Sequence, residues 1–244
     1  MPLKTSKGNM YPWVTHTHSH LGGECPHECS YCYVENPIHG RPDRYKGPVR
    51  LVEKEFNVKY DEATLTKDGG KYPGIIFIEN TSDLFAREMP DSFITRILLH
   101  CQRWPDNEYV FQTKNPGRLY NEANLPNNYI FGCTIETNRD ISGLSKAPRP
   151  FDRYVAMREL NARKFVTIEP ILDFDVAELA WWIYSIEPEF VNIGADSKGH
   201  GLPEPSADKV RALIERLTAN DIEIREKHNL ERLLGHASST GGRR

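Results

Sequence analysis

Cys25-Pro-His-Glu-Cys29-Ser-Tyr-Cys32-Tyr33 is the stretch from which the rest of this 244-residue chain is read. Three thiols spaced C-x3-C-x2-C on one short loop can present three thiolates to one face of a [4Fe–4S] cube, which leaves the fourth iron without a protein ligand. An open iron is a place for chemistry. Gly22-Gly23 feeds the loop, and the free φ angles of glycine let the backbone turn sharply enough to wrap a cofactor. A zinc site would use the same thiolates, with His27 or one of His16, His18 and His20 as the fourth ligand. Zinc motifs, however, usually come as two C-x2-C or H-x3-H pairs, and the remaining cysteines, Cys101 and Cys133, lie far away in sequence and far apart. Inert thiols are the third reading. An odd count of five cysteines, clustered and without a leading signal segment, points to a reducing cytoplasm and away from a disulfide scaffold.

Composition sets the frame. The length suits one large α/β domain, expected over residues 11–234, with a flexible lead-in at 1–10 and a small, polar, disordered tail at 235–244. No apolar run is long enough to cross a bilayer, so no membrane partner is expected. The net charge of −3 argues against a chain that binds nucleic acid by overall charge. Local basic stretches remain: Arg41, Arg44, Lys46 and Arg50 near the cysteine loop, and Arg139, Lys146, Arg149, Arg153, Arg158, Arg163 and Lys164 further on. Each reads either as a solvated face or as a contact for phosphates.

Strand–helix alternation governs the rest. Residues 11–20 alternate with a period of two, which puts His16, His18 and His20 on one face and Thr15, Thr17 and Ser19 on the other. His16 and His18 are candidates to contact substrate. Strands are expected over 74–78, 108–113, 129–135, 164–168 and 190–194, with one more over 222–224; helices are expected over 91–104, 153–161, 175–186 and 206–218, the last capped by Ser206. Cys101 falls on the apolar face of the first helix and reads as core. This pattern means parallel strands joined by right-handed crossovers, an α/β fold curled into a partial (β/α)6 barrel. Chemistry in such barrels gathers at the carboxyl ends of the strands, and every strand here ends in polar residues. Asn80, Glu136, Glu169 and Asp196 are therefore candidate substrate-facing groups.

The motif C-x3-C-x-aromatic-C resembles the signature of the radical S-adenosylmethionine (SAM) enzymes. Asn80-Thr-Ser-Asp-Leu-Phe85, Thr113-Lys114 and Thr134-Ile-Glu136 resemble the spore photoproduct lyase branch of that superfamily and a related set of small phage-encoded proteins; the likeness runs over most of residues 13–201. The resemblance implies a [4Fe–4S] cluster held by Cys25, Cys29 and Cys32, and SAM held at its methionine end by Ser82, beside Asp83, and by Lys114 and Thr134. It also implies that the Tyr31 backbone and Gly194 lie along the adenine. The implied activity is reductive cleavage of SAM to a 5′-deoxyadenosyl radical that abstracts hydrogen from substrate, with an electron donor such as flavodoxin as partner. In the spore photoproduct lyase branch a cysteine immediately precedes Thr-Ser-Asp, and this chain has Asn80 there. Cys133 neighbours Thr134 on a strand and so points to the opposite face. Dimer repair as such is therefore not the expectation. A modified thymidine-type base in DNA, rearranged or hypermodified by an isomerase- or lyase-type reaction, is the expected substrate; a free small molecule or a non-catalytic metal-binding module are the alternatives.

Overall fold

The computed structural model describes residues 3–8, 10–35, 43–61, 65–67 and 70–235. Arg41 and nearly all of the tail expected at 235–244 lie outside these residues. The strands in chain order are β1 (Lys4–Thr5), β2 (His16–His18), β3 (Leu21–Gly22), β4 (Arg50–Leu51), β5 (Leu65–Lys67), β6 (Gly70–Tyr72), β7 (Ile75–Ile78), β8 (Glu108–Thr113), β9 (Tyr129–Thr134), β10 (Lys164–Ile168), β11 (Phe190–Ile193) and β12 (Glu223–Glu226). The helices are α1 (Asp91–Gln102), α2 (Pro150–Glu159), α3 (Val176–Ile186), α4 (Ala207–Thr218) and the short α5 (Glu231–Leu234). Eight strands form the main sheet in the order β1-β2-β7-β8-β9-β10-β11-β12, and β3–β4 and β5–β6 are separate two-stranded pairs. From β2 to β12 every neighbour is parallel. The sheet curls but does not close, as expected for the partial barrel, and the segment over 222–224 does supply the last parallel strand.

Two differences from the sequence reading have simple causes. Part of the lead-in at 1–10 is ordered by pairing: Lys4 and Thr5 lie antiparallel against Thr17 and His16, which makes β1 an edge strand. Helix α2 begins at Pro150, three residues before the expected start, because proline has no amide hydrogen to lose at the first helical turn. Ser206 caps α4 as expected, its hydroxyl accepting from the Lys209 amide.

Alternation along each strand sorts side chains into two layers. The outer layer packs Ile76, Ile78, Phe111, Phe131, Val166 and Ile193 against Ile94, Ile97 and Leu98 of α1 and against the apolar faces of α3 and α4. Cys101 belongs to it, buried as expected. The inner layer starts with a plug of Phe77, Val110, Ile130, Phe165 and Phe190, with which Tyr11 and Val14 pack. Gly132 is required there, because a Cβ would stand 2.2 Å from the Phe165 ring. One step further along the strands the inward residues turn polar: Gln112, Thr134, Thr167 and Asn192. That change from apolar to polar creates a floor for a site. No helix among the described residues is long and apolar enough to cross a membrane.

Candidate functional site

Above the polar floor lies a cavity of about 890 Å³. Its walls carry all three clustered cysteines, Cys25, Cys29 and Cys32, together with Ser82, Lys114 and Thr134. These groups come from the loops after β3 and β7 and from the ends of β8 and β9. The cysteine loop is shaped by short-range bonds, the Glu28 amide donating to the Cys25 carbonyl at 3.2 Å and the Cys32 amide to the Cys29 carbonyl at 3.0 Å. It is tied to the rest of the protein where the Ser30 amide meets the Leu144 carbonyl at 2.9 Å and the Lys146 amide meets the His27 carbonyl at 2.7 Å. Gly23 sits at a φ of +88°, and a Cβ there would stand 2.2 Å from the Pro48 carbonyl. The glycine pair thus lets two backbones touch.

Asp83 joins the parts of this wall. One carboxylate oxygen receives Nε2 of His27 at 2.8 Å and the Lys114 amide at 2.7 Å; the other receives the Thr113 hydroxyl at 2.8 Å and the Phe85 amide at 2.9 Å. Burial works against its charge, but His27 and these hydrogen bonds outweigh it and hold the carboxyl below its usual range. With its oxygens engaged in this way, Asp83 orients the neighbours of a ligand. Ser82, next in the chain, is the reverse case: its hydroxyl oxygen is buried and has no hydrogen-bond partner. A buried hydroxyl without a partner is costly, and a ligand atom in the cavity would satisfy it.

A second knot lies behind the cysteine loop. Glu136, fully buried, accepts Nη1 of Arg153 at 2.7 Å and the Tyr31 hydroxyl, with Nζ of Lys114 at 3.6 Å. Burial raises the Glu136 carboxyl, yet Arg153 and Lys114 bring it below the usual range. Burial likewise disfavours the Lys114 ammonium, and Glu136 and Cys29 more than offset it, so that Lys114 keeps its charge. Lys114 also stands 5.3 Å over the Tyr31 ring, which helps fix its direction. The cavity thus holds a positioned cation beside a buried open hydroxyl.

The floor and far wall are also connected. The Tyr11 hydroxyl lies 2.7 Å from both Gln112 and Thr167, and Gln112 donates onward to Thr134 at 2.9 Å. Glu169 accepts Nζ of Lys227 at 2.7 Å and Nδ2 of Asn229 at 3.1 Å. Asp196 receives Nδ1 of His200 at 2.7 Å and the Lys198 and His200 amides at 3.0 and 2.5 Å. Asn80 lines the near side, receiving the Ser19 hydroxyl at 2.9 Å while its carbonyl accepts the Tyr33 hydroxyl.

Of the residues singled out from sequence, Cys25, Cys29, Cys32, Tyr31, Ser82, Asp83, Lys114, Thr134, Asn80, Glu169 and Asp196 line this cavity. His16, His18, Glu136 and Gly194 do not. His16 and His18 pair in register with Ile76 and Ile78, and in-register partners on parallel strands share a face, here the helix-side core. Thr17, opposite Phe77, faces the cavity instead. Glu136 lies behind the wall, and Gly194 leaves room for the Glu169 carboxyl, which would meet a Cβ at 2.9 Å. Cys133 is packed in the helix-side core, as its place next to Thr134 required. Tyr11, Gln112, Thr167 and His200 also line the cavity and were not singled out from sequence; His27, named there only as a zinc ligand, lines it and holds Asp83.

The second basic stretch also dissolves as a stripe. Arg153 is buried against Glu136; Arg139 pairs with Asp173 and Asp175; Arg149 pairs with Asp152 and Arg158 with Glu159. Lys146 pairs with Glu28. Arg163 pairs with Glu108 and Glu189 at the amino ends of the strands, and Lys164 donates to the Met157 and Leu160 carbonyls. Near the cysteine loop, Arg44 is consumed holding the Ser19 and Leu21 carbonyls and Glu55.

The donor set fits the cofactors that the cysteine motif implies. Three thiols share one cavity wall with an open buried hydroxyl and a fixed ammonium. Burial pushes the Cys25 thiol up to about 11 and also raises that of Cys29, so binding a metal must displace thiol protons. Among the described residues no three His, Cys, Asp or Glu groups are drawn together as ligation of a single ion would require.

Solved structures with the same fold include a spore photoproduct lyase variant with bound AdoMet and dinucleoside spore photoproduct, 13% identical, with a TM-score of 0.57 over 87% of this chain and 64% of that one. SuiB of Streptococcus suis bound to S-adenosylmethionine is 12% identical, with a TM-score of 0.57 over 88% of this chain and 51% of that one. SuiB bound to its precursor peptide SuiA gives a TM-score of 0.58 at 12% identity, over 88% of this chain and 49% of that one. This chain therefore spans about half to two thirds of the length of these proteins, and the likeness establishes the fold, an open, mostly parallel α/β barrel. No curated protein matches by sequence. Residues 11–224 match the family described as "Protein of unknown function (DUF5131)", and the chain belongs to that family.

Proposed function

We propose that this protein is a radical SAM enzyme, in which Cys25, Cys29 and Cys32 would hold a [4Fe–4S] cluster and Ser82, Lys114 and Thr134 the methionine end of SAM. When bound, the two supply reductive cleavage of SAM and hydrogen-atom abstraction from a substrate. The observation that carries this reading is convergence: residues from four separate segments, the cysteine loop and the ends of β7, β8 and β9, meet on one cavity wall. Lys114 would neutralise the SAM carboxylate, and the Ser82 hydroxyl would gain the partner it lacks. Asp83 and Glu136 keep Lys114, His27 and Tyr31 in place, and the aromatic plug closes the barrel against water from below.

The substrate we favour is a thymidine-type base in DNA, rearranged or hypermodified. The branch resemblance supports it, as does the solved lyase with a dinucleoside photoproduct in place. Among the described residues the only thiols on the cavity wall are those of the cysteine loop. That favours rearrangement, or return of the same hydrogen, over donation from a dedicated protein thiol. A flavodoxin-type reductant would deliver the electron.

The test is anaerobic reconstitution with iron and sulfide, followed by dithionite and SAM. The expected result is 5′-deoxyadenosine from the wild type and none above background from Cys29→Ala, with a matching loss of bound iron. Retention of zinc alone, with no cleavage product, would make the cysteine loop a structural metal site.

A further inference from the structure

We infer that the substrate carries a phosphate and that Lys4 and Lys7, on and just after β1, meet it at the cavity mouth. The inference rests on the proposed reaction for its premise that the cavity is a substrate site.

Among the described residues four carboxylates line the cavity: Glu79, Asp83, Glu169 and Asp196. All four are turned to protein partners. Glu79 accepts the His20 amide at 2.6 Å, the His20 ring at 2.8 Å and the Leu21 amide at 3.2 Å. Asp83, Glu169 and Asp196 are engaged by the groups described above. The negative charge on the wall is thus answered from within. The five lysines on the same lining are Lys4, Lys7, Lys114, Lys198 and Lys227. Lys227 serves Glu169, and Lys114 belongs to the SAM side. Lys4 and Lys7 are exposed and have no carboxylate within ion-pair distance among the described residues. The wall left for a substrate is therefore cationic.

Lys4 is not on a loose arm. Its strand pairs with β2 directly at Thr17, itself a cavity residue. On the same lining, the loop at 196–201 is folded onto Asp196 and brings His200 to the cavity with Nδ1 already committed, so Nε2 is the ring atom left for a ligand. Tyr33, half exposed, lines the same mouth with its hydroxyl anchored on the Asn80 carbonyl, which leaves its ring available to a flat group. Exposed lysines and an anchored aromatic ring on one cavity lining suit a nucleotide phosphate with its base. In the second basic stretch, by contrast, Arg139, Lys146, Arg149, Arg153, Arg158 and Arg163 are each paired with a carboxylate, whereas Lys4 and Lys7 are not.

The experiment measures binding, not turnover. The reconstituted protein with SAM is titrated calorimetrically with dithymidine joined by a phosphodiester and with the uncharged methylphosphonate analogue. The wild type is expected to bind the phosphodiester at least about tenfold more tightly, the worth of one charge-assisted contact. The variant Lys4→Glu/Lys7→Glu should lose that preference and keep its affinity for the methylphosphonate; both positions are exposed, and an unchanged thermal midpoint verifies folding. Thymidine 5′-monophosphate binding with the same dependence on Lys4 and Lys7 would assign the site to a terminal phosphate. Equal affinity for charged and uncharged linkages, failure of both to bind, or a preference that survives the double substitution overturns the inference. Absence of 5′-deoxyadenosine in the same preparation would instead count against the radical SAM reading and leaves the binding contrast readable.

Discussion

Two buried polar networks lie near the carboxyl end of β7, one tied to the wall of the cysteine loop and one built on the helix-side histidines with Glu79 at its cavity edge, and they are built in opposite ways. On the inner side Asp83, Glu136, Arg153 and Lys114 keep their charges, each answered by an opposite charge or by hydrogen bonds. On the outer side His20 contacts Glu79 and His100 at 2.8 Å each, and the imidazoles are packed among Phe56, Tyr60 and Trp104. Burial drives those rings to neutrality, pushing His18 down to about 2, His20 to about 3 and His100 to about 4. The difference teaches what burial alone does not: a cluster of titratable groups is a candidate site where charge is retained beside open space, and it is core where charge is removed.

The largest effect is expected from breaking the inner network. Arg153→Met leaves the Glu136 carboxylate fully buried with Lys114 as its nearest remaining cation, and should cost about 3–5 kcal/mol in denaturant unfolding. A loss near zero would mean that the inner charges are not mutually dependent.

Next comes the acid response of the outer network. An imidazole whose folded pKa is depressed contributes stability that is complete above the unfolded value near 6.5 and is lost as pH falls toward the folded value. Glu79, pushed up to about 7, acts with the opposite sign: folded, it keeps a proton that the unfolded chain releases above about 4.5, so lowering the pH across that interval favours the folded state. Between pH 5 and 6 three histidines less one carboxyl leave a net of about two protons taken up on unfolding, so stability falls as the pH is lowered. His100→Phe should remove about one proton from that slope. A slope unchanged by the substitution would place the acid response elsewhere.

The smallest effect on folding belongs to Ser82→Ala. Its hydroxyl has no protein partner, so unfolding should shift by less than about 1 kcal/mol while SAM affinity falls about tenfold. Loss of stability with unchanged SAM affinity would reverse its assignment.

Much of this was legible from residues alone. The strand ends could be placed because apolar runs stop at polar clusters, and the cysteine spacing announced its own loop. What could not be read was which face of β2 looks inward. A period of two separates His16 and His18 from Thr17, but in a sheet covered on both sides either set can be the inner one, and only the pairing with Ile76 and Ile78 decides. Arg153 was read as surface because arginine seldom lies buried, and its partner Glu136 is seventeen positions away, on another element. Tyr11 stands more than a hundred residues from its partners Gln112 and Thr167, a separation at which local pattern carries no signal.

The most direct test of the central claim sets the two networks against each other in one assay. In anaerobically reconstituted protein, Lys114→Met should reduce 5′-deoxyadenosine formation at least about tenfold at limiting SAM, since it removes the cation beside the cavity. His100→Phe, which alters only the outer cluster, should leave the rate within about twofold of wild type. The reverse pattern, with activity lost on the histidine side and retained without Lys114, would contradict the assignment of the inner wall as the site.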